Sequence, residues 1–75
     1  MKIKVRYFAV FRESRGRSSE EVETSSATPD GLYRELGLPL EARLVRAAVN
    51  GEFVEMESPL KEGDEVVFIP PVAGG

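Results

Sequence analysis

Apolar and polar residues alternate at the start of the chain. Ile3, Val5 and Tyr7 fall on one parity and Lys2, Lys4 and Arg6 on the other. Period two predicts a half-buried strand over residues 2–8. Residues 12–19 carry no apolar side chain and include Gly16, so they read as a polar loop between two hairpin strands. Glu20 to Ser25 forms a weaker strand with only Val22 directed inward. Thr28-Pro29-Asp30 is a helix start: a hydroxyl to accept from a free N–H, a proline suited to the first turn, and an acid facing the positive end of the dipole. Leu32, Tyr33 and Leu36 form its apolar stripe, and Gly37 stops it. At about two turns, this helix depends on packing against a sheet.

A third strand spans 44–49 with Val45, Ala47 and Val49 in phase, and a short strand over 52–54 pairs back on it. Asn50-Gly51 between them is the favoured two-residue type I′ turn. Ser58 to Asp64 is turn chemistry, and Glu65 to Ile69 is a last strand rich in β-formers. The order predicts a two-layer α+β domain over residues 1–69: a mixed sheet of about five strands with one short helix on one face. A β-grasp arrangement fits this order, as do other small α+β folds.

Strand phase carries a consequence for the surface. With Ile3, Val5 and Tyr7 inward, Phe8 turns outward. The turn at Asn50-Gly51 pairs Ala48 with Phe53, and paired residues share a face, so Phe53 also turns outward. Placing Phe68 inward leaves Val67 and Ile69 outward. The outer face then carries Phe8, Phe53, Val67 and Ile69, rimmed by Arg46 and by Lys or Arg of the first strand. An apolar patch with a charged rim on so small a domain reads as a protein-binding surface.

Composition narrows the function. Seventy-five residues bury roughly 60% of their unfolded surface, enough for one small core but not for an enclosed active-site cavity. The absence of Cys and His removes disulfides, zinc-finger ligands and Cys–His or Ser–His nucleophiles, and favours a reducing cytoplasm. Ten basic against thirteen acidic residues argue against broad nucleic-acid binding. No run resembles a signal peptide or a membrane span. The acidic residues Glu20, Glu21, Glu23, Glu55 and Glu57 read as solvated strand faces, and Arg12, Arg15 and Arg17 as a basic loop.

The end of the sequence is its most distinctive part. Pro70 and Pro71 cannot donate to a ladder, so the strand should stop at Ile69 and residues 70–75 should leave the body as an extended tail reaching about 20 Å. Ala73, Gly74 and Gly75 are small enough to thread a narrow tunnel. An ionised carboxylate is a poor electrophile, but activation by ATP makes it an acyl adenylate open to attack. An unhindered Gly-Gly end suits an enzyme that performs that step.

Four stretches together resemble the small subunit of molybdopterin synthase, a sulfur carrier of ubiquitin-like β-grasp fold. They are Tyr7-Phe8-Ala9 followed by Arg12-Glu13; Ala47-Ala48-Val49-Asn50; Pro59 to Val66; and Phe68-Ile69-Pro70-Pro71-Val72-Ala73-Gly74-Gly75. The last is the most specific: thiamine-pathway carriers and ubiquitin-like modifiers also end Gly-Gly, but usually without the Pro-Pro-Val lead. The resemblance implies that an E1-like enzyme adenylates Gly75 with ATP and that a sulfur donor converts it to a thiocarboxylate. The carrier then docks on the large synthase subunit, in a heterotetramer of two large and two small subunits, and gives sulfur to a cyclic pterin precursor. The implied roles are Gly75 as acceptor, Gly74 as its unhindered neighbour, and Pro70, Pro71, Val72 and Ala73 as the inserted arm. Phe8, Phe53 and Ile69 would be apolar contacts, and Arg12 a recurrent arginine touching tail or partner.

On that reading the chain is a non-catalytic sulfur-donor subunit that itself binds no cofactor or metal. The alternatives are a thiamine- or tRNA-thiolation carrier, a ubiquitin-like modifier, and a plain β-grasp binding module. Residues 29–43 depart from the family pattern, because the Gly37-Leu38-Pro39 break leaves little room for the second half of the usual helix.

Overall fold

A computed structural model describes residues 1–71. Five strands form one sheet: β1 (Lys2–Arg6), β2 (Ser19–Glu23), β3 (Arg46–Val49), β4 (Glu52–Val54) and β5 (Glu65–Ile69). Their spatial order is β2-β1-β5-β3-β4. The central pair β1–β5 is parallel, and the other three pairings are antiparallel. Helices α1 (Ala9–Arg15) and α2 (Pro29–Leu36) and a 3-10 turn (Ala42–Leu44) complete the described elements. The mixed sheet and its crossover are the β-grasp arrangement that the element order suggested.

Alternation on β1 and β5 builds the core. Ile3, Val5, Val66 and Phe68 are fully buried, with Ala47 beside them on β3. Leu32 and Tyr33 of α2 close over them. Tyr33 meets Phe68 edge-to-face at 5.2 Å and Phe11 of α1 at 5.8 Å, so one ring ties both helices to the sheet. The ends of α2 follow its sequence. Thr28 Oγ1 accepts from Gly31 N at 3.1 Å, Pro29 sits in the first turn, and Gly37 ends the helix at φ 64°.

Two expectations need correction. Residues 12–19 are not simply a loop, for the structure has two helices rather than one. α1 runs to Arg15 and stops at Gly16, φ 72°, whose N–H donates to the Arg12 carbonyl at 2.9 Å. One fully buried anchor, Phe11, holds this helix with Val10 packed beside it; its apolar residues are all consecutive at 9–11, so no 3.6-residue periodicity registers. The second correction concerns Glu20, which is not a solvated strand residue. β2 pairs Val5 with Glu20 and Ile3 with Val22, so Glu20 shares the inner parity. There its carboxylate accepts from Tyr7 Oη at 2.6 Å and from Arg15 Nε at 2.8 Å. Arg17 stands 3.4 Å from the other oxygen. Arg15 and Arg17 thus share one carboxylate within the domain.

The short connection after α2 is closed by one hydroxyl. Tyr33 Oη donates to the Leu40 carbonyl at 2.8 Å and accepts from Leu40 N at 3.1 Å. Leu38 is buried beside it, and the 3-10 turn brings the chain into β3. β3 consequently starts at Arg46 rather than residue 44, though Val45 remains buried. These contacts close the connection between α2 and β3.

Candidate docking face and tail

The outer face of the sheet divides into two ends. One cross-strand row runs Ser19–Arg6–Val67–Ala48–Phe53, assembled from the four strand pairings. The adjoining row is Glu21–Lys4–Glu65, where Lys4 Nζ lies 3.9 Å from Glu65. Beyond the first row Arg46 pairs with Ile69. The face is therefore charged toward Lys2 and Glu23 and apolar toward Ile69.

All four apolar residues expected on the outside are brought to the apolar end. Phe53 is 69% exposed and Phe8 48%, while Val67 and Ile69 are half-buried between neighbouring strands. The hairpin register that turns Phe53 outward is the expected one: Val49 with Glu52, Ala48 with Phe53, Ala47 with Val54. Asn50 and Gly51 have φ of 52° and 87°, as a type I′ turn requires. Phe8 is positioned differently. β1 ends at Arg6, and Ala9 takes φ 49°, a left-handed residue that swings the chain into α1 and leaves Phe8 facing solvent.

Two hollows flank the patch. One is lined by Leu44, Arg46, Phe53, Ile69, Pro70 and Pro71. The other holds Lys4, Arg6, Phe8 and Arg12 with Ser18 and Ser19. Arg12 thus stands beside Phe8. Leu44, 42% exposed, is a patch residue that sequence reading missed. Its signal was available, because inward Val45 turns its neighbours outward. Pro70 and Pro71 follow β5 without regular structure. Val72, Ala73, Gly74 and Gly75, expected to carry the tail chemistry, lie outside the described residues.

The arginines sort by position. Arg15, Arg17, Arg34 and Arg43 are each in an ion pair. Arg6, Arg12 and Arg46 pair with no carboxylate among the described residues, and all three border the patch. A domain of net charge −3 therefore presents unneutralised cations around its apolar surface. Titration is perturbed on the inner side. Burial and the hydrogen bond to Glu20 push the Tyr7 hydroxyl well above the ordinary phenol range. Burial also acts to raise the Glu20 carboxyl, but the hydrogen bonds from Tyr7 and Arg15 and the charges of Arg15 and Arg17 outweigh it and hold the group below the usual carboxylate range. Among the described residues no three His, Cys, Asp or Glu side chains cluster as a metal site, and no helix is long and apolar enough to cross a membrane.

The ThiS family profile matches residues 5–75. The chain belongs to the ThiS family. The molybdopterin synthase sulfur carrier subunit of Escherichia coli K12 is 40% identical, with 97% of this chain and 99% of that protein covered. A solved Pyrococcus furiosus structure, described as a putative molybdopterin converting factor subunit 1, is 35% identical with a TM-score of 0.75, covering 96% of this chain and 99% of that one. The fold is accordingly the ubiquitin-like β-grasp. One chain of the complex of subunits 1 and 2 of the molybdopterin-converting factor from Helicobacter pylori shares that fold at 23% identity, TM-score 0.64, covering 100% of this chain and 100% of that one. This ThiS-family member thus resembles molybdopterin synthase sulfur carriers over nearly its whole length, and its sheet has a covered inner face and an exposed apolar outer face rimmed by arginines.

Proposed function

We propose that this chain is the sulfur-carrier subunit of a molybdopterin synthase. A Gly75 carboxylate oxygen attacks the α-phosphate of ATP on an E1-like activating enzyme, and pyrophosphate leaves. A hydrosulfide equivalent from a sulfur donor then displaces AMP, leaving a thiocarboxylate. The loaded carrier docks on the large catalytic subunit, two of each forming the complex, and delivers sulfur to a cyclic pterin precursor. Phe53, Phe8, Val67 and Ile69 are the docking surface, with Arg12 at its rim. Pro70 to Ala73 are the arm that enters the partner, and Gly74 keeps the approach to Gly75 unhindered.

One observation carries this reading beyond similarity. β5 ends inside the apolar patch, and Pro70 and Pro71 line the same hollow as Phe53 and Leu44. A partner that covers the patch therefore meets the base of the tail. The prolines bias the free arm toward extended conformations, which reduces the entropy lost when a tunnel orders it. On this reading the chain's contribution is presentation of the terminus.

The test is the intact mass of the carrier after incubation with activating enzyme, ATP and sulfur donor. An oxygen-to-sulfur exchange at the terminus is expected. Deleting Gly74-Gly75, or adding one residue after Gly75, should abolish the exchange while the thermal melt stays unchanged. A thiocarboxylate formed on the extended chain without trimming overturns the assignment.

A further inference from the structure

The turn that presents Phe53 is also a chemically vulnerable sequence. Asn50-Gly51 is exposed, and the glycine carries no side chain to hinder attack by its own backbone nitrogen. In an unrestrained Asn-Gly segment that nitrogen attacks the asparagine side-chain carbonyl carbon. The Gly51 N–H proton passes to solvent base, a bond forms from Gly51 N to Asn50 Cγ, and the Cγ–Nδ2 bond breaks as ammonia leaves. Water then opens the cyclic imide at either carbonyl, giving aspartate or an isoaspartyl link. The step needs no oxidant or reductant.

Here the amide is held at both of its atoms. Asn50 Nδ2 donates to Asp64 Oδ1 at 2.9 Å, and Asn50 Oδ1 accepts from Glu65 N at 3.0 Å. The backbone is pinned as well, Asn50 N donating to the Glu65 carbonyl at 2.8 Å. Asp64 is braced in turn. Its Oδ2 accepts from Lys61 N at 2.8 Å, and its carbonyl accepts from Lys4 N at 2.9 Å. Swinging Cγ onto Gly51 N requires both side-chain hydrogen bonds to break.

We propose that Asn50 is a deamidation site kept closed by the fold, with Asp64 as the residue that closes it. The consequence reaches the docking face. An aspartate at position 50 sets a second carboxylate against Asp64, where the amide donor had been, and like charges at that distance disfavour the arrangement. An isoaspartyl link lengthens the main chain of a two-residue turn whose geometry sets the pairing of Ala48 with Phe53. Deamidation thus acts on the residue at the centre of the patch without touching the core.

The full-length carrier is incubated at mildly alkaline pH, folded in buffer and unfolded in urea, and the Asn50-Gly51 peptide is followed by mass for conversion of amide to acid. Folded wild type should convert at least about tenfold more slowly than unfolded chain, since the reactive geometry is reached only through local opening. Asp64→Ala, checked to be folded by its melt, should lose most of that protection. If it does not fold, Asp64→Ser retains a short acceptor near Lys61 N but cannot reach Asn50, and should give the same result. Equal rates in folded and unfolded wild type overturn the proposal, as does a folded Asp64 variant that converts no faster than wild type.

Discussion

The two faces of the one sheet handle their polar and apolar groups in opposite ways. On the inner face Ile3, Val5, Val66 and Phe68 are covered by Phe11, Leu32 and Tyr33. The charge that intrudes there, Glu20, is met by a phenol and two guanidinium groups. On the outer face Phe53 and Phe8 stand exposed, and Arg6, Arg12 and Arg46 have no carboxylate partner among the described residues. The same strands produce both, since alternate residues of β3 and β5 point opposite ways. The inner side is covered within this chain, whereas the outer side stays exposed and is the side on which the proposed partner docks.

Two phenylalanines break that comparison most sharply. Phe68→Ala should cost about 3–5 kcal/mol of stability, because it leaves a cavity beneath Tyr33. Phe53→Glu should leave the chemical-denaturation midpoint nearly unchanged and weaken docking on the large subunit by more than about thirtyfold, as expected of a central apolar anchor worth about 2 kcal/mol or more. Denaturant melts and titration calorimetry separate the two effects. A Phe53→Glu protein that melts far below wild type would place Phe53 in the core.

Replacing Pro70 and Pro71 together by Gly tests the base of the tail. At about 0.4–1 kcal/mol per proline, productive insertion should weaken by roughly four- to thirtyfold. Single-turnover sulfur transfer from preloaded carrier, at subsaturating large subunit, reads this out. Unchanged rates would reduce the prolines to a strand stop.

The arginines sharpen the comparison at smaller amplitude. Arg6→Gln, Arg12→Gln and Arg46→Gln should each slow association with a partner a few-fold and flatten its salt dependence, as rim charges do. Arg34→Gln, which loses only an exposed pair with Asp30, should leave the association rate alone. Stopped-flow association at two ionic strengths distinguishes them, and equal effects from all four would dissolve the sorting.

The smallest effect is in acid. Glu20 titrates lower in the folded chain than in the unfolded one. Its contribution to stability is therefore present above the unfolded carboxylate value of about 4.3 and fades as pH falls through its lower folded value. Glu20→Gln should be destabilised near neutrality and lose less further stability than wild type on acidification. Melts collected from neutral pH into that acid window give the comparison, and parallel curves would show that the network does not titrate with folding.

Strand parity, the Asn-Gly turn and the Thr-Pro-Asp helix start are local signals, each decided by residues within one turn or pleat of one another. They are enough to place β1, α2, the hairpin and the outward side of Phe53, Val67 and Ile69, whereas Phe8 faces out because β1 ends at Arg6 and Ala9 turns the chain. The tail's small residues and its prolines are equally plain in the chain, and so is the family resemblance they carry. Phe11 and Glu20 show where local signals stop. A short helix with one fully buried residue, Phe11, is held because Tyr33, distant in sequence, supplies a surface it packs on. A glutamate turns inward only because β2 pairs in a register that sets it beside Tyr7, Arg15 and Arg17. Likewise, which arginines remain unpaired depends on which carboxylates the folded chain brings within reach, and that is a property of distances in space, not of positions along the sequence.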